Sequence, residues 1–179
     1  TISVMPIDFK VIQISAGGIQ EEMDEWAAEA KSLIQDFLKL ELSGRNIQLN
    51  FINETSLKST HYDEWFSQKG LYQAIAASAL DHGFKGMSGF EDKINHFDYT
   101  FGKDIQFLAE AAPADAILFI QGFDTCRTTG KFWIDAFVQG ATGVPIFYYN
   151  PLNMGLVDSK TGDLLWFKSN NILQNVDFR

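Results

Sequence analysis

The residues between Gly122 and Lys131 have the types that a phosphate-binding loop would need. Such a loop uses glycine-cleared amides around the phosphates, a lysine for charge, and a Ser or Thr hydroxyl for a metal ion. Thr128-Thr-Gly-Lys131 follows an apolar strand and precedes helical spacing, so the parts come in the right order. Their spacing does not fit. Seven residues separate Gly122 from Gly130 where the motif has four, and Phe132 stands where a hydroxyl is required. A capped helix start is the simpler account. The same stretch keeps open a different ligand site, a concave pocket gathering Asp124, Arg127 and Lys131.

The three histidines, His61, His82 and His96, share no metal-ligand spacing, so no metal site is expected. His96 and Asp98 could form an acid–base pair, although residues two apart on a strand also share a face for packing reasons alone. Gly-x-Ser-x-Gly does not occur. Cys126, the single cysteine, reads as a buried thiol rather than a nucleophile. Asp63 and Glu64 suit a helix start, and Asp158 and Asp163 suit a turn. No catalytic residue and no cofactor is expected from this set. Phe147, Tyr148 and Tyr149, between Pro145 and Pro151, form a patch for a protein partner if exposed and core if buried.

The elements that must carry these residues alternate between strand and helix. Ile2 to Met5 and Phe9 to Ile14 read as strands broken at Pro6. Gln20 to Leu42 places Met23, Trp26, Ala27, Ala30, Leu33, Ile34, Phe37 and Leu38 at helical spacing, which predicts one amphipathic helix with Glu21 and Glu22 in its first turn. Ile47 to Phe51 alternates as a strand. Thr60-His-Tyr-Asp63 predicts a helix start near residue 61, with Gly70 a weak point and Gly83 a cap. Gly83 to Tyr99 is the longest irregular stretch and a candidate functional loop. A short helix from Phe101 to Ala112 ends at Pro113, and Ala116 to Phe123 reads as a central strand covered on both sides. Lys131 to Ala141 predicts a further helix with a mediocre apolar stripe. Gly155 to Phe167 predicts a hairpin with Gly162 left-handed in its turn. The fold class expected is a single mixed α/β domain over residues 1–179, with packed amphipathic helices and a C-terminal hairpin.

Composition narrows the partners. The chain has 179 residues with 23 Asp and Glu against 14 Lys and Arg, a formal charge of -9. No basic cluster exists to neutralise phosphates, so nucleic acid is not an expected partner. Glu21 to Glu29 is an acidic block that reads as a solvated helix face. No run approaches the ~20 apolar residues of a membrane-spanning helix.

Three segments in order carry a resemblance: Phe97-Asp-Tyr-Thr-Phe-Gly102, Ala114-Asp-Ala-Ile-Leu-Phe119 and the hairpin Gly155 to Phe167. Together they resemble a group of largely uncharacterised proteobacterial lipoproteins and, more distantly, are similar to the curli-secretion lipoprotein CsgG and the N-terminal domain of TolB. The resemblance implies an α/β domain on the periplasmic side of the envelope, tethered to the outer membrane by a lipid on a cysteine upstream of Thr1. It implies no enzyme activity. A CsgG-like pore is not expected, because no ~10-residue segments alternate as barrel strands do. The function expected is a non-enzymatic envelope module that binds another protein through a sheet edge, the Gly83 to Tyr99 loop or the Phe147 to Tyr149 patch. A small-ligand binder or enzyme near residues 122–131 is the alternative.

Overall fold

The protein is described by a computed structural model over residues 1–83, 98–143, 150–171 and 174–177. The Gly83 to Tyr99 loop, apart from its ends, lies outside the described residues. So do Phe147, Tyr148 and Tyr149, the three aromatic residues of the expected partner patch.

The chain organises itself around one long strand. β5 (Ala116–Arg127) begins with five consecutive buried residues, Ala116 to Ile120, as a strand covered on both faces must. Beside it run β1 (Ile2–Val4) and β2 (Asp8–Ile14), both parallel to it. Ile2 to Val4 pair with Ala116 to Leu118, and Asp8 to Ile14 pair with Gln121 to Arg127. The edge carries one residue more than its partner across this break. Pro6 sits there because it has no N–H to give a ladder.

The break splits the far side of this strand pair. β4 (Leu49–Phe51) pairs in parallel with β1, whereas β3 (Gln20–Glu22) pairs antiparallel with β2. Glu21 and Glu22, expected in a helix, therefore lie in a strand, and Lys10 meets Glu22 at 2.6 Å. Helix α1 (Asp24–Ser43) starts after them, with Asp24 and Glu25 in its first turn. On the other side of β5 come β6 (Leu152–Asp158), β7 (Leu164–Asn171) and β8 (Gln174–Asp177), each antiparallel to the one before. No sequence pattern announces β8.

Two cores follow from the alternation of side chains along β5. Ile117 and Phe119 face α2 (Glu54–Thr60), α3 (Tyr62–Gly83) and α4 (Gln106–Ala111). Their cluster includes Leu57, Tyr72, Leu108, Val157 and Phe167. Leu118 and Ile120 face the opposite way, toward Val4, Ile7 and α1. The helix expected to start near residue 61 does so as α3 at Tyr62; the short α2 ahead of it, begun by Asn53 accepting from Ser56 N–H and ended at His61, has no counterpart in the sequence reading. Gly70 does not break α3. Helix α5 (Thr129–Thr142) follows β5 directly, with Thr128 Oγ1 accepting from Lys131 N–H as its cap.

The hairpin turn is also a clasp. Asp158 Oδ1 accepts from the backbone N–H of Lys160 and Thr161, each at 2.8 Å, and those two donors hold its carboxyl below the usual range. Gly162 is left-handed at φ 79°, as the sequence required. Its carbonyl accepts from Phe101 N–H at 2.7 Å, and Ser159 Oγ donates to Ala114 O at 2.6 Å. A Cβ at Gly162 would stand 2.1 Å from Gly102 O. Gly162→Ala should therefore cost about 2–4 kcal/mol, combining the wrong-handed backbone with a clash that no flexible side chain can relieve. Urea denaturation would measure it; a loss under about 1 kcal/mol would show that the turn does not hold the hairpin against residues 100–102.

Candidate functional site

Three places in the described structure could do something beyond folding. The first is the junction of β5 and α5. Two of the three residues expected to converge there do so, on a partner the sequence reading missed. Asp135 is buried to 2% exposure; Lys131 Nζ reaches its Oδ1 at 2.6 Å and Arg127 its Oδ2 at 3.5 Å. Asp124 stands apart, exposed on β5. The i, i+4 spacing of Lys131 and Asp135 was the available signal. Arg127 also stacks over the ring of Phe132, 5.4 Å from its centroid. This arrangement places opposite charges around a buried carboxylate, so an incoming anion would have to compete with Asp135 for both cations.

Cys126 lies beside this junction and donates to Ile12 O at 3.7 Å. Burial, with the charge of Asp124 added, pushes its thiol up, which disfavours the thiolate. Asp98 is exposed, and His96, its expected partner, lies outside the described residues. Among the described residues no group of three or more His, Cys, Asp or Glu is placed to hold a metal ion.

The second place is a cavity of about 50 Å³ beneath the bend of the first strand, lined by Met5, Pro6, Lys31, Trp65, Lys69 and Tyr72 among others. Lys58 and Lys69 sit over the Trp65 ring at 5.3 and 5.6 Å, and Lys69 pairs with Asp8 at 3.0 Å. Tyr72 stacks on Phe119 at 5.0 Å, made possible by Gly155, where a Cβ would stand 2.8 Å from the Tyr72 ring. Tyr72 Oη and Gln68 Oε1 are buried without a hydrogen-bond partner, and burial pushes the Tyr72 phenol far above its ordinary range. The volume suits about one or two water molecules and no metabolite.

The third place is α5 itself. Its polar side, Lys131 and Asp135, turns inward, and its apolar side turns out. Phe132, Trp133, Ile134, Phe137 and Val138 are all exposed, Trp133 at 67% and Phe137 at 77%. At about 100° per residue these five spread over more than half the helix circumference. The interspersed positions there are Ala136, Gly140 and Ala141, so this arc carries no charge. An ordinary surface helix does the reverse. Among the described residues, no helix is long and apolar enough to cross a membrane.

No family model matches the chain, and no curated protein matches it in sequence. Two solved structures are similar in shape. The LpoB C-terminal domain from Salmonella enterica has a TM-score of 0.36 at 12% identity, covering 97% of this chain and 83% of that one. The lipoprotein GNA1162 from Neisseria meningitidis has a TM-score of 0.33 at 16% identity, covering 94% of this chain and 78% of that one. TM-scores this low carry no argument about the present chain. The mixed α/β sheet with packed helices and a terminal hairpin stands on the structure itself.

Two substitutions check these assignments. Asp135→Ala should cost about 1–3 kcal/mol, below the figure for breaking a fully buried pair because Lys131 and Arg127 both reach water. Hydrogen exchange should quicken throughout residues 129–142; unchanged protection there would mean that Asp135 does not anchor α5. Tyr72→Phe removes a buried hydroxyl without a partner, so denaturation should show unchanged stability or a gain of up to about 1 kcal/mol. A clear loss would mean that the hydroxyl is satisfied in solution.

Proposed function

We propose that this chain is a non-enzymatic module of the bacterial cell envelope, held on the periplasmic side at the outer membrane by a lipid upstream of Thr1, that works by binding another protein. The observation that carries the reading is α5, a helix that spends its charges on its own strand and presents an uncharged aromatic arc to solvent. Monomeric soluble proteins rarely expose a contiguous apolar patch of more than a few hundred Å², and a larger one marks an interaction surface. Aromatic residues are what the buried centre of an interface is built from. The envelope part of the reading is supported by the three segments that resemble a group of largely uncharacterised proteobacterial lipoproteins. It includes the membrane only as the anchor's support, and it leaves nucleic acid aside because of the charge of -9.

A ligand site at the β5–α5 junction is the competing reading, favoured by the convergence of Arg127 and Lys131. It ranks second because both cations are already shared with Asp135.

Cell fractionation with mass spectrometry of the natural N-terminus, together with a photo-crosslinking residue at position 133 in native cells, tests the proposal. The expected results are a diacylglyceryl cysteine in the membrane fraction and discrete protein adducts at 133. An unmodified chain in the cytosol would remove the envelope assignment. Absence of any adduct would remove the binding role of α5.

A further inference from the structure

The sheet edge formed by β1 and β2 is covered at its two ends and not in between. β4 lies along Ile2 to Val4, and Ile52 N–H donates to Val4 O at 2.9 Å. β3 lies along Ile12 to Ile14, and Met23 N–H donates to Val11 O at 2.8 Å. Between those two bonds no described strand pairs with the outer side of residues 5–10. At about 3.3 Å per residue the gap is roughly 20 Å long, the length of one short strand.

The ladder decides which backbone groups face the gap. Ile14 O accepts from Thr128 N–H on the β5 side, whereas Val11 O accepts from Met23 N–H on the outer side. Successive residues of a strand turn their N–H and C=O to alternate edges. Asp8, Lys10 and Ile12 therefore bond to β5, and Phe9 turns both of its groups outward. An unpaired N–H and C=O in the plane of a sheet are a template for one more strand.

The gap has a wall on each face. On one side stands α1, with Ala27, Ala28 and Lys31 beside a cavity of about 330 Å³. On the other stand Glu54, Trp65 and Lys69, beside the cavity of about 50 Å³ beneath the bend. Asp8 and Lys31 border both cavities, so the two meet at the same stretch of edge. The charges here are mostly spent. Lys69 holds Asp8 at 3.0 Å, Glu22 holds Lys10 at 2.6 Å, and Lys58 holds Glu54 at 2.8 Å. Lys31 has no ion pair or hydrogen bond among the described residues. Asp24 lies about two helical turns from it, at the end that β3 already closes.

We propose that a short extended segment of a partner protein adds to this edge as a strand, filling the gap between β4 and β3. Its backbone bonds to Phe9 N–H and C=O, and its alternate side chains turn to the two walls. An acidic side chain facing α1 neutralises Lys31. The residues on either side of that acid face the opposite wall, where the small cavity beneath Pro6 admits only small side chains. The partner sequence is thus small, acidic, small in an extended run. β4 and β3 occupy the row on either side of the gap, so the edge of another folded sheet is blocked and a linear segment is not. This surface is additional to α5 and does not use it.

The test uses the full chain and a phage-displayed library of random segments about eight residues long. Peptides selected on the chain and then synthesised should carry Asp or Glu between small residues. They should slow hydrogen exchange of the Phe9 amide at least about tenfold, because that N–H faces the open edge in the free chain. Lys31→Glu alters a side chain without a partner, and unchanged exchange across Ala116 to Ile120 would verify its fold. This variant should bind the selected peptides at least about tenfold more weakly, and peptides with Lys in place of the acid should recover the binding. The proposal is overturned if no peptide is selected, if the peptides leave Phe9 unprotected, or if Lys31→Glu binds them equally. A chain carrying Trp133→Glu and Phe137→Glu separates this site from α5. Equal peptide binding by that chain upholds the strand site even where position 133 captures nothing in cells; lost binding places the peptides on α5 and removes it.

Discussion

Everything in this molecule hangs on β5 being buried from both sides while paired on both edges. A strand in that position needs an unbroken apolar start, Ala116 to Ile120, and needs every backbone group met by a neighbour. β1 and β2 supply one edge in parallel and β6 the other antiparallel. The two faces of the strand then divide the rest of the chain. α2, α3 and α4 cover one, α1 the other, and the hairpin turn locks onto residues 100–102 to close the first core.

The division is unequal, and the inequality is where the functional possibilities lie. The α3 side is closed by stacked rings, with Phe101, Phe119 and Tyr72 in mutual contact at 5.0 to 6.3 Å. The α1 side has a single described helix above a sheet several strands wide, and Leu33, Phe37 and Leu40 on one flank of that helix are exposed. At the far end of β5 the strand runs past both cores. Its continuation from Gln121 to Arg127 is only partly covered, held by β2 and by Asn150, which accepts from Thr125 N–H and Oγ1–H. α5 springs from that extension and is tied back by charge rather than by apolar packing. A helix anchored through Asp135 can leave its aromatic side facing out, which a helix anchored through its aromatic side could not.

The sequence by itself determined the local elements and their class. Periodicity placed α1, α3, β5 and the hairpin, and Gly162 had to be left-handed because the turn chemistry around Asp158 leaves no other route. Where local signals compete, the reading failed in small ways. Glu21 and Glu22 suit a helix start but are taken by β2 as a strand, and the short α2 ahead of the start that Thr60 to Asp63 marks has a single apolar residue, Leu57, and so no periodicity to reveal it. Only the tertiary structure decided which apolar residues are core. Along α1 the sequence offers a stripe broader than one packing surface can bury, and periodicity cannot say which half the sheet takes. In α5 the same ambiguity is resolved against expectation. The structure turns Asp135 inward against Lys131 and Arg127 and leaves Trp133 and Phe137 exposed, a choice that the strand end across from α5 makes by presenting an arginine. Which side of a helix faces inward is set by what lies across from it, and that neighbour is chosen by the topology of the whole chain.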